Sequence, residues 1–371
     1  HYPLRRQRQM CIRDRKKTLF IGAFALLTSC TAVQNSGSDK QPFVWEGANL
    51  YFLLTDRFNN GDPNNDVNLN RTEKTAVLRG FEGGDLRGII QKIDDNYFSD
   101  LGINAIWMTP VVEQIHGATN EGTGNTYGFH GYWTKDWTAL DPNFGTKADL
   151  KELVDKAHKK GIRIVLDAVI NHTGPVTPVD PVFPNSWVRT SPQCKYDNYI
   201  NTTACTLVAN LPDILTESSA PADLPKQLVD KWKSEGRYEQ EMQELDAFFT
   251  KTGYPRAPKY YIMKWLADYI TEFGIDGYRV DTVKHTNEDV WKEFQKVCQA
   301  AFDEYRRNNP NKVWDNSKFF TVGEVYGYGI SQKQIYDFGD RKVNYFDNGF
   351  ASLINFCLLY TSPSPRDVEE S

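Results

Sequence analysis

Short apolar runs alternate with amphipathic segments along much of the chain. A strand is predicted from Gly277, and others are predicted at residues 50–58, 103–110, 162–169, 319–325 and 350–356. A stripe at helical spacing precedes the third of these runs and consists of Leu150, Leu153, Val154 and Ala157. Thr146 and Asp149 form a capping-box pattern before that stripe, and Gly161 ends it. Strand, helix and strand in this order predict a parallel sheet covered by helices.

The periodic pattern is lost between residues 174 and 258. Pro, Asn, Asp and Thr dominate this stretch, which is too long for an ordinary connection between a strand and a helix. Helical spacing returns after it in a stripe of Ile262, Trp265, Leu266, Tyr269 and Ile270. The chain is therefore predicted to leave the sheet after the third strand and to rejoin it at the fourth.

Polar side chains stand at the carboxyl ends of three predicted strands. Asp167 ends the third strand and His172 follows it, while Glu324 lies in the fifth. Alternation in the fourth strand places Arg279 and Asp281 on one face, where the guanidinium would keep the carboxylate ionised. A structural ion pair is the alternative for an isolated Arg-x-Asp pattern. Three such strand ends together are typical of the active site of an α/β barrel.

Residues 167–172, 277–285 and 323–326 resemble, in order and spacing, the first three signature regions of the α-amylase family, glycoside hydrolase family 13. The resemblance implies an α/β fold, a (β/α)8 TIM barrel of which about six strands are present. It also implies a small B domain after the third strand, because residues 211–214 resemble the fifth signature. The seventh and eighth strands, the fourth signature with the third catalytic acid, and the C-terminal domain have no counterpart in the sequence.

The resemblance further implies a retaining mechanism. Asp281 would be the nucleophile and Glu324 the general acid and base. Residues that would contact the substrate are His130, Tyr132, Asp167, His172, Arg279, Lys284 and His285.

Two Ca2+ sites are also implied by the resemblance. One would use Asn60, Asp62, Asn65, Asp66, Asp85 and the carbonyl of Gly83. The other would use Asn171, Asp213 and the carbonyl of His285, between the barrel and the B domain. Oxygen-rich loops of this kind suit a cation that takes about six to eight oxygen ligands. A turn rich in Asn and Asp that binds no metal is the alternative for the first site.

The expected function is endo-acting hydrolysis of α-1,4-glucosidic bonds in starch, glycogen or maltodextrins. Residues 113–117 and the loop at 56–66 resemble bacterial periplasmic α-amylases, which favours hydrolysis. A transglycosylase of the same family shares every signature found here. A non-catalytic glucan-binding lipoprotein and a poorly folding remnant are also compatible with the sequence.

Composition and charge narrow the choice of partners. The chain has 371 residues, a net charge of −5 and no basic run in its interior, which argues against nucleic acid. Aromatic residues make up 13% of the chain, as in many sugar-binding clefts, although core packing accounts for most of them. The expected partner is an α-glucan, bound by a monomer.

The N-terminal part of the chain indicates export. Residues 16–30 resemble a lipoprotein signal peptide that ends at Cys30, which would carry the lipid and form the only membrane attachment.

The rest of the chain divides into predicted segments: residues 31–44 are a linker, 45–173 and 259–356 are two parts of the catalytic barrel, and 174–258 are the B domain. Residues 1–15 and 357–371 resemble translated adapter sequence. Cys194 and Cys205 flank a short loop and could pair in an oxidising compartment.

Overall fold

A six-stranded parallel sheet forms the centre of the molecule, and its neighbouring strands are, in order, Leu50–Leu53, Ala105–Met108, Arg163–Ala168, Gly277–Val280, Phe320–Gly323 and Ser352–Leu353. The computed structural model describes residues 43–356. Strands of the described part are β1 (Leu50–Leu53), β2 (Ala105–Met108), β3 (Val112–Gln114), β4 (Thr119–Asn120), β5 (Asn125–Thr126), β6 (Thr134–Leu140), β7 (Arg163–Ala168), β8 (Val188–Arg189), β9 (Asp213–Ile214), β10 (Gly277–Val280), β11 (Phe320–Gly323), β12 (Tyr336–Asp337), β13 (Lys342–Val343) and β14 (Ser352–Leu353).

Helices connect the parallel strands. They are α1 (Thr55–Phe58), α2 (Leu86–Asp94), α3 (Tyr97–Asp100), α4 (Lys147–Lys159), α5 (Ile200–Thr203), α6 (Lys226–Ser234), α7 (Tyr238–Thr252), α8 (Pro258–Phe273) and α9 (Glu288–Asn308). The predicted α/β fold with about six barrel strands is confirmed. The capping box of Thr146 and Asp149 forms at the start of α4 as predicted.

The two inner strands β7 and β10 are buried along their whole length. Helices α8 and α9 pack against each other and flank β10 in the chain, so the sheet is covered as in other parallel sheets. The outer strands β1 and β14 each pair with only one neighbour within residues 43–356. Leu50 and Phe52 on β1 are 38% and 49% exposed.

Several strands are shorter than predicted. The first ends at Leu53, and a turn of helix follows because Thr55 bonds to Thr109 through both its amide and its hydroxyl group. The last predicted strand, 350–356, is reduced to Ser352 and Leu353, which pair with β11 at the edge of the sheet. Hydrogen bonding to a neighbour, rather than the extent of the apolar run, decides where these strands stop.

The stretch from 174 to 258 contains more regular structure than its sequence suggested. Helices α6 and α7 occupy its second half, and each buries a pair of side chains four residues apart: Leu228 with Trp232, and Leu245 with Phe249. In the first half, a disulfide joins Cys194 to Cys205. The division of the chain into domains at these boundaries stays a prediction.

The predicted export features lie outside the described residues. This applies to Cys30, to the signal peptide and to the adapter-like ends at 1–15 and 357–371. Within residues 43–356, none of the helices combines the length and apolar character needed to cross a membrane.

Candidate active site

One guanidinium group joins the three acids that the sequence singled out. Arg279 Nη1 lies 2.9 Å from Asp167 Oδ1 and 2.8 Å from Asp281 Oδ1, and its Nη2 lies 2.9 Å from Glu324 Oε2. The side chain of Arg279 is only 6% exposed, so these charge-assisted contacts are largely shielded from water. The structure therefore brings Asp167, Arg279, Asp281 and Glu324 together.

Strand register explains this convergence. Arg279 stands opposite Asp167 in the pairing of β10 with β7. Asp281 follows β10 directly and Glu324 follows β11 directly, and their amides donate to Ala168 O at 3.0 Å and Val280 O at 2.9 Å. Parallel strands end at the same edge of a sheet, so side chains just beyond those ends face one another.

The chain turns sharply after Asp281. Thr282 has a φ of 49°, a left-handed conformation that is unfavourable for a β-branched residue. Its amide donates to Glu324 Oε2 at 3.0 Å, which offsets part of this cost by holding the carboxyl in place. Unfavourable backbone geometry of this kind is found most often at functional sites.

Burial controls the ionisation of two of the acids. It raises the pKa of Asp167 to about 7, where the charge of Arg279 opposes the rise and that of Asp281 adds to it. The pKa of Glu324 is raised for the same reason, burial first and then the neighbouring charge of Asp281, against the effect of Arg279. A carboxyl whose pKa is raised holds its proton at a higher pH and is suited to act as an acid.

Two aromatic side chains complete the surroundings of Asp167. The Tyr132 hydroxyl donates to Asp167 Oδ2 at 2.8 Å, and Trp107 Nε1 donates to the same oxygen at 3.1 Å. The centre of the Arg279 guanidinium lies 5.3 Å from the Trp107 ring and 5.4 Å from the Tyr132 ring. The sequence pattern did not single out Trp107. Its position near the end of β2, at the same edge as the acids, was the signal that could have found it.

His130 and His172 both hold the backbone of Tyr132. His130 Nδ1 accepts from the Tyr132 amide at 3.0 Å, and His172 Nε2 lies 3.2 Å from the Tyr132 carbonyl oxygen, to which it donates. Burial lowers the pKa of each imidazole to about 4, so both are neutral near pH 7. His172 Nε2 is thus already engaged, and its contact with a sugar stays a prediction.

Lys284 lies among three tyrosine rings. Its Nζ donates to Tyr326 O at 2.9 Å and to the Tyr336 hydroxyl at 3.3 Å. The ring centres of Tyr196, Tyr326 and Tyr336 lie 5.3–5.9 Å from this nitrogen. Tyr196 and Tyr326 are more than half exposed, so they offer aromatic surface to a ligand beside Lys284.

His285 contacts the segment closed by the disulfide. Its Nδ1 lies 3.1 Å from Thr202 O, and burial lowers the pKa of the imidazole to about 4. The Tyr196 ring meets the His285 ring edge-on at 5.7 Å. This segment therefore forms one wall beside the strand end that carries Asp281.

The six residues predicted to form the first calcium site lie in two contact groups: Asn60 and Asp66 beside Gly83, and the Asp62 amide and Asn65 at Asp85. Asp85 accepts from the amides of Gly61 at 3.1 Å and Asp62 at 2.8 Å, and it also caps α2. Asn65 Oδ1 is buried without a hydrogen-bond partner. A Cβ atom on Gly83, whose φ is 89°, would lie 2.5 Å from Asp66 Oδ1. A cradle lined by oxygens and kept open by glycine fits a hard cation, although hydrogen bonds also hold this loop together.

The second predicted calcium site has a buried acid at its centre. Asp213 is 1% exposed, and neither carboxyl oxygen has a hydrogen-bond donor in good geometry. Burial raises its pKa to about 8, against the charge of Arg189, whose Nε lies 2.9 Å from Oδ2. Asn171 is close by, since its carbonyl accepts from the Ile214 amide at 2.8 Å. The buried carboxyl group of Asp213 is suited to bind a cation, and the guanidinium of Arg189 already supplies part of the positive charge that such a cation would bring.

Neither site has the composition of a transition-metal centre. Within residues 43–356, no group of three or more His, Cys, Asp or Glu side chains is arranged to hold a metal. A cation at either place would depend on amide and carbonyl oxygens in addition to the Asp carboxylates, and all of these oxygens are ligands typical of Ca2+.

Comparison with known families assigns the chain to one of them. Residues 52–350 match the family model for the alpha amylase catalytic domain. The chain belongs to the α-amylase family.

Its six-stranded sheet corresponds to part of the TIM barrel of α-amylase structures. An α-amylase from Anoxybacillus superposes with a TM-score of 0.59 at 28% identity, covering 85% of this chain and 53% of that one. The α-amylase of Geobacillus thermoleovorans, solved with acarbose, gives 0.57 at 27% identity and the same coverage.

Curated members of the α-amylase family include both hydrolases and transferases. The periplasmic alpha-amylase of Escherichia coli (strain K12) is 34% identical in an alignment that covers 85% of this chain and 51% of that protein. A cyclomaltodextrin glucanotransferase of Niallia circulans is 35% identical over 257 residues, 69% of this chain and 32% of the transferase. The chain thus spans about half of the first relative and about a third of the second.

Proposed function

We propose that the protein is an α-amylase-type glycosidase that hydrolyses α-1,4-glucosidic bonds of starch, glycogen or maltodextrins with retention of configuration. The observation that carries the proposal is the contact of Arg279 with Asp167, Asp281 and Glu324 at adjacent strand ends. Membership of the α-amylase family supports the substrate class.

Asp281 is the proposed nucleophile. Its carboxylate attacks the anomeric carbon, the bond from that carbon to the leaving oxygen breaks, and a covalent glycosyl-enzyme forms. Arg279 Nη1 donates to Asp281 Oδ1 at 2.8 Å and fixes the orientation of the carboxylate. In the second step water displaces Asp281 from the same carbon, so two inversions give net retention.

Glu324 is the proposed acid and base. It gives its proton to the leaving oxygen in the first step and takes one from water in the second. The raised pKa of this carboxyl suits the first task. Retaining enzymes hold the two carboxyls about 5–5.5 Å apart. A short separation is consistent with both Asp281 and Glu324 contacting one guanidinium group.

The remaining predicted residues would bind the glucan. Tyr132 and His130 would contact the sugar whose bond is cleaved, on the same side as Asp167, and Lys284 would contact the sugar on the leaving side. Calcium, held by the two oxygen clusters, would supply positive charge that fixes the loop at 60–66 and the region of Asp213 against the barrel.

Transglycosylation is the second candidate. The glucanotransferase of Niallia circulans matches this chain at the same level of identity as the E. coli hydrolase, although over fewer residues. The exposed rings of Tyr196 and Tyr326 beside Lys284 offer a surface on which a sugar acceptor could compete with water. The ratio of transfer products to hydrolysis products at high maltoheptaose concentration separates the two candidates.

Export is proposed as well. The relative from E. coli is named as periplasmic, and Cys30 closes a lipoprotein-type signal in the sequence. In the native bacterium the protein should be extracted by detergent, and the Cys30→Ser variant should be soluble after export. Soluble wild-type protein would contradict the lipid anchor.

The main test is product analysis with the full-length protein. Proton NMR during early hydrolysis of maltoheptaose should show new reducing ends in the α configuration, and the Asp281→Asn variant should release none. Initial products of the β configuration would contradict the mechanism. Binding of maltoheptaose without any cleavage by the wild type would favour a non-catalytic glucan-binding protein.

A further inference from the structure

Three side chains capture the backbone of Tyr132 and of the residue after it. His130 and His172 bind the amide and the carbonyl of Tyr132. Gln114 Oε1 accepts from the amide of Trp133 at 2.7 Å. The Tyr132 ring is therefore positioned by the side chains that bind its backbone, and not only by the contacts of its own hydroxyl group.

Gln114 is itself fixed at every polar group. Its side chain is fully buried, and its Nε2 donates to Val112 O at 2.8 Å. Its amide donates to Asp141 Oδ2 at 2.9 Å, and its carbonyl accepts from Arg71 Nη2 at 3.0 Å. A buried amide with all its groups bonded is a rigid support, because losing one partner leaves the other unsatisfied.

The loop that carries Tyr132 passes directly over this support. A Cβ atom on Gly128 would lie 2.9 Å from Gln114 Cβ, so the backbone there has no room to move toward β3. Gln114 thus touches the loop before Tyr132, at Gly128, and after it, at Trp133. The hydroxyl group of Tyr132 reaches Asp167 at 2.8 Å and lies 3.4 Å from Arg279 Nη1.

We propose that Gln114 is a positioning residue, which acts on the reaction by holding Tyr132 against Asp167 and Arg279. This inference rests on the proposed glycosidase function for its effect on catalysis, but not for its effect on structure. Replacing a residue that only stabilised the pairing of β3 with β6 would lower the stability of the protein without a specific link to Tyr132.

A double-mutant cycle separates these roles. Gln114→Met keeps the length of the side chain and removes both hydrogen bonds. In the full-length protein it should lower kcat/KM for maltoheptaose about 10-fold, since small displacements of a substrate-binding group are costly. In a Tyr132→Phe background, which already lacks the bond to Asp167, the same change should lower kcat/KM less than about threefold. Equal losses in both backgrounds would overturn the proposal.

Gln295→Met is the matched control. Gln295 lies on α9, and its Nε2 donates to Phe319 O at 3.2 Å, a contact that includes neither Tyr132 nor its loop. This variant should lower the thermal midpoint and leave kcat/KM within about twofold of the wild type, as expected for a site without coupling to Tyr132.

A crystal structure of Gln114→Met provides a readout that does not depend on activity. The Tyr132 hydroxyl should move beyond hydrogen-bonding distance of Asp167. If it stays in place, the positioning role is wrong, whatever the kinetics show. If it moves while the wild type cleaves no glucan, the proposed function fails and the inference about Gln114 stands.

Discussion

At the scale of single residues, three acidic side chains of the site share the positive charge of one guanidinium group. Arg279 binds two acids through one nitrogen and a third through the other. Burial acts to lower the pKa of Arg279, but Asp167 and Asp281 raise it well above its usual range, so the guanidinium stays charged. One guanidinium group can therefore contact both the proposed nucleophile Asp281 and the proposed general acid Glu324, because the two carboxyl groups differ in burial and in their other neighbours.

Separate roles for the two acids predict different responses to an activated substrate. In the full-length protein, Asp281→Asn and Glu324→Gln should each abolish starch hydrolysis. A glycosyl fluoride needs no proton donor, so it should still react with the Glu324→Gln variant, and the adduct should accumulate because its hydrolysis lacks a base. Mass spectrometry after brief exposure should locate the adduct on Asp281.

The Asp281→Asn variant is the control for that experiment. It lacks the nucleophile and should leave the fluoride intact. Fluoride turnover by this variant would remove Asp281 from the mechanism, and an adduct on Glu324 in any variant would reverse the two roles.

The coupling between the two acids predicts a shift in pKa. The charge of Asp281 helps to raise the pKa of Glu324, so Asp281→Asn should lower it. Carboxyl titration by NMR with labelled glutamate should show this downward shift. As a general acid, Glu324 must be protonated, so wild-type kcat/KM should fall as pH rises through its raised pKa. An unchanged titration in Asp281→Asn would mean that the two carboxyls do not interact.

At the scale of elements, the disulfide segment forms a wall of the site. The Cys194–Cys205 bond closes a stretch that contacts His285 through Thr202 O. Replacing both cysteines with serine should lower the free energy of unfolding by about 3 kcal/mol or less, the value expected for a loop of this size. Chemical denaturation measures the change.

Reductant provides the control for the disulfide prediction. It should destabilise the wild type and have no effect on the double serine variant. Cys298 is buried and unbonded among the described residues, so it should not contribute to the difference. Equal stability of wild type and variant would show that the bond does not constrain the folded protein.

Elements differ in how well their sequence predicts them. The convergence of Asp167, Arg279 and Glu324 follows from strand order, since motif residues at the ends of parallel strands must meet at one edge. The bond from Trp107 to Asp167 depends on the register of β2 against β7, which no local pattern contains. Helices α6 and α7 were missed because each buries only two side chains, within a stretch otherwise rich in turn-forming residues.

At the scale of the whole molecule, the first proposed calcium loop is tied to the end of β6, the strand that follows Tyr132 in the chain. Asn143, just after β6, donates to Asn65 O at 2.9 Å and to Asp66 O at 2.8 Å. Arg71 binds Asn143 and also the buried Asp141. Order in this loop is therefore coupled by direct contacts to the end of the paired strands β3 and β6.

Chelation should show this coupling. Binding of Ca2+ to the folded state alone raises stability, so EDTA should lower the thermal midpoint of the full-length protein, and added Ca2+ should restore it. Asp66→Asn should weaken the dependence on Ca2+, whereas Asp246→Asn, at an exposed position on α7, should leave it unchanged. A thermal midpoint that changes neither with EDTA nor with added Ca2+ would contradict both metal sites.

The two outer strands bear on how this stretch of protein behaves when it is produced by itself. A closed barrel has no free edge, whereas residues 43–356 leave the peptide groups on one side of β1 and of β14 without a neighbouring strand. Leu50 and Phe52 add exposed apolar surface to the first of these edges. Such edges are templates for pairing with another copy. A recombinant fragment with these limits should self-associate as its concentration rises, and light scattering would detect it before any assay of activity is attempted.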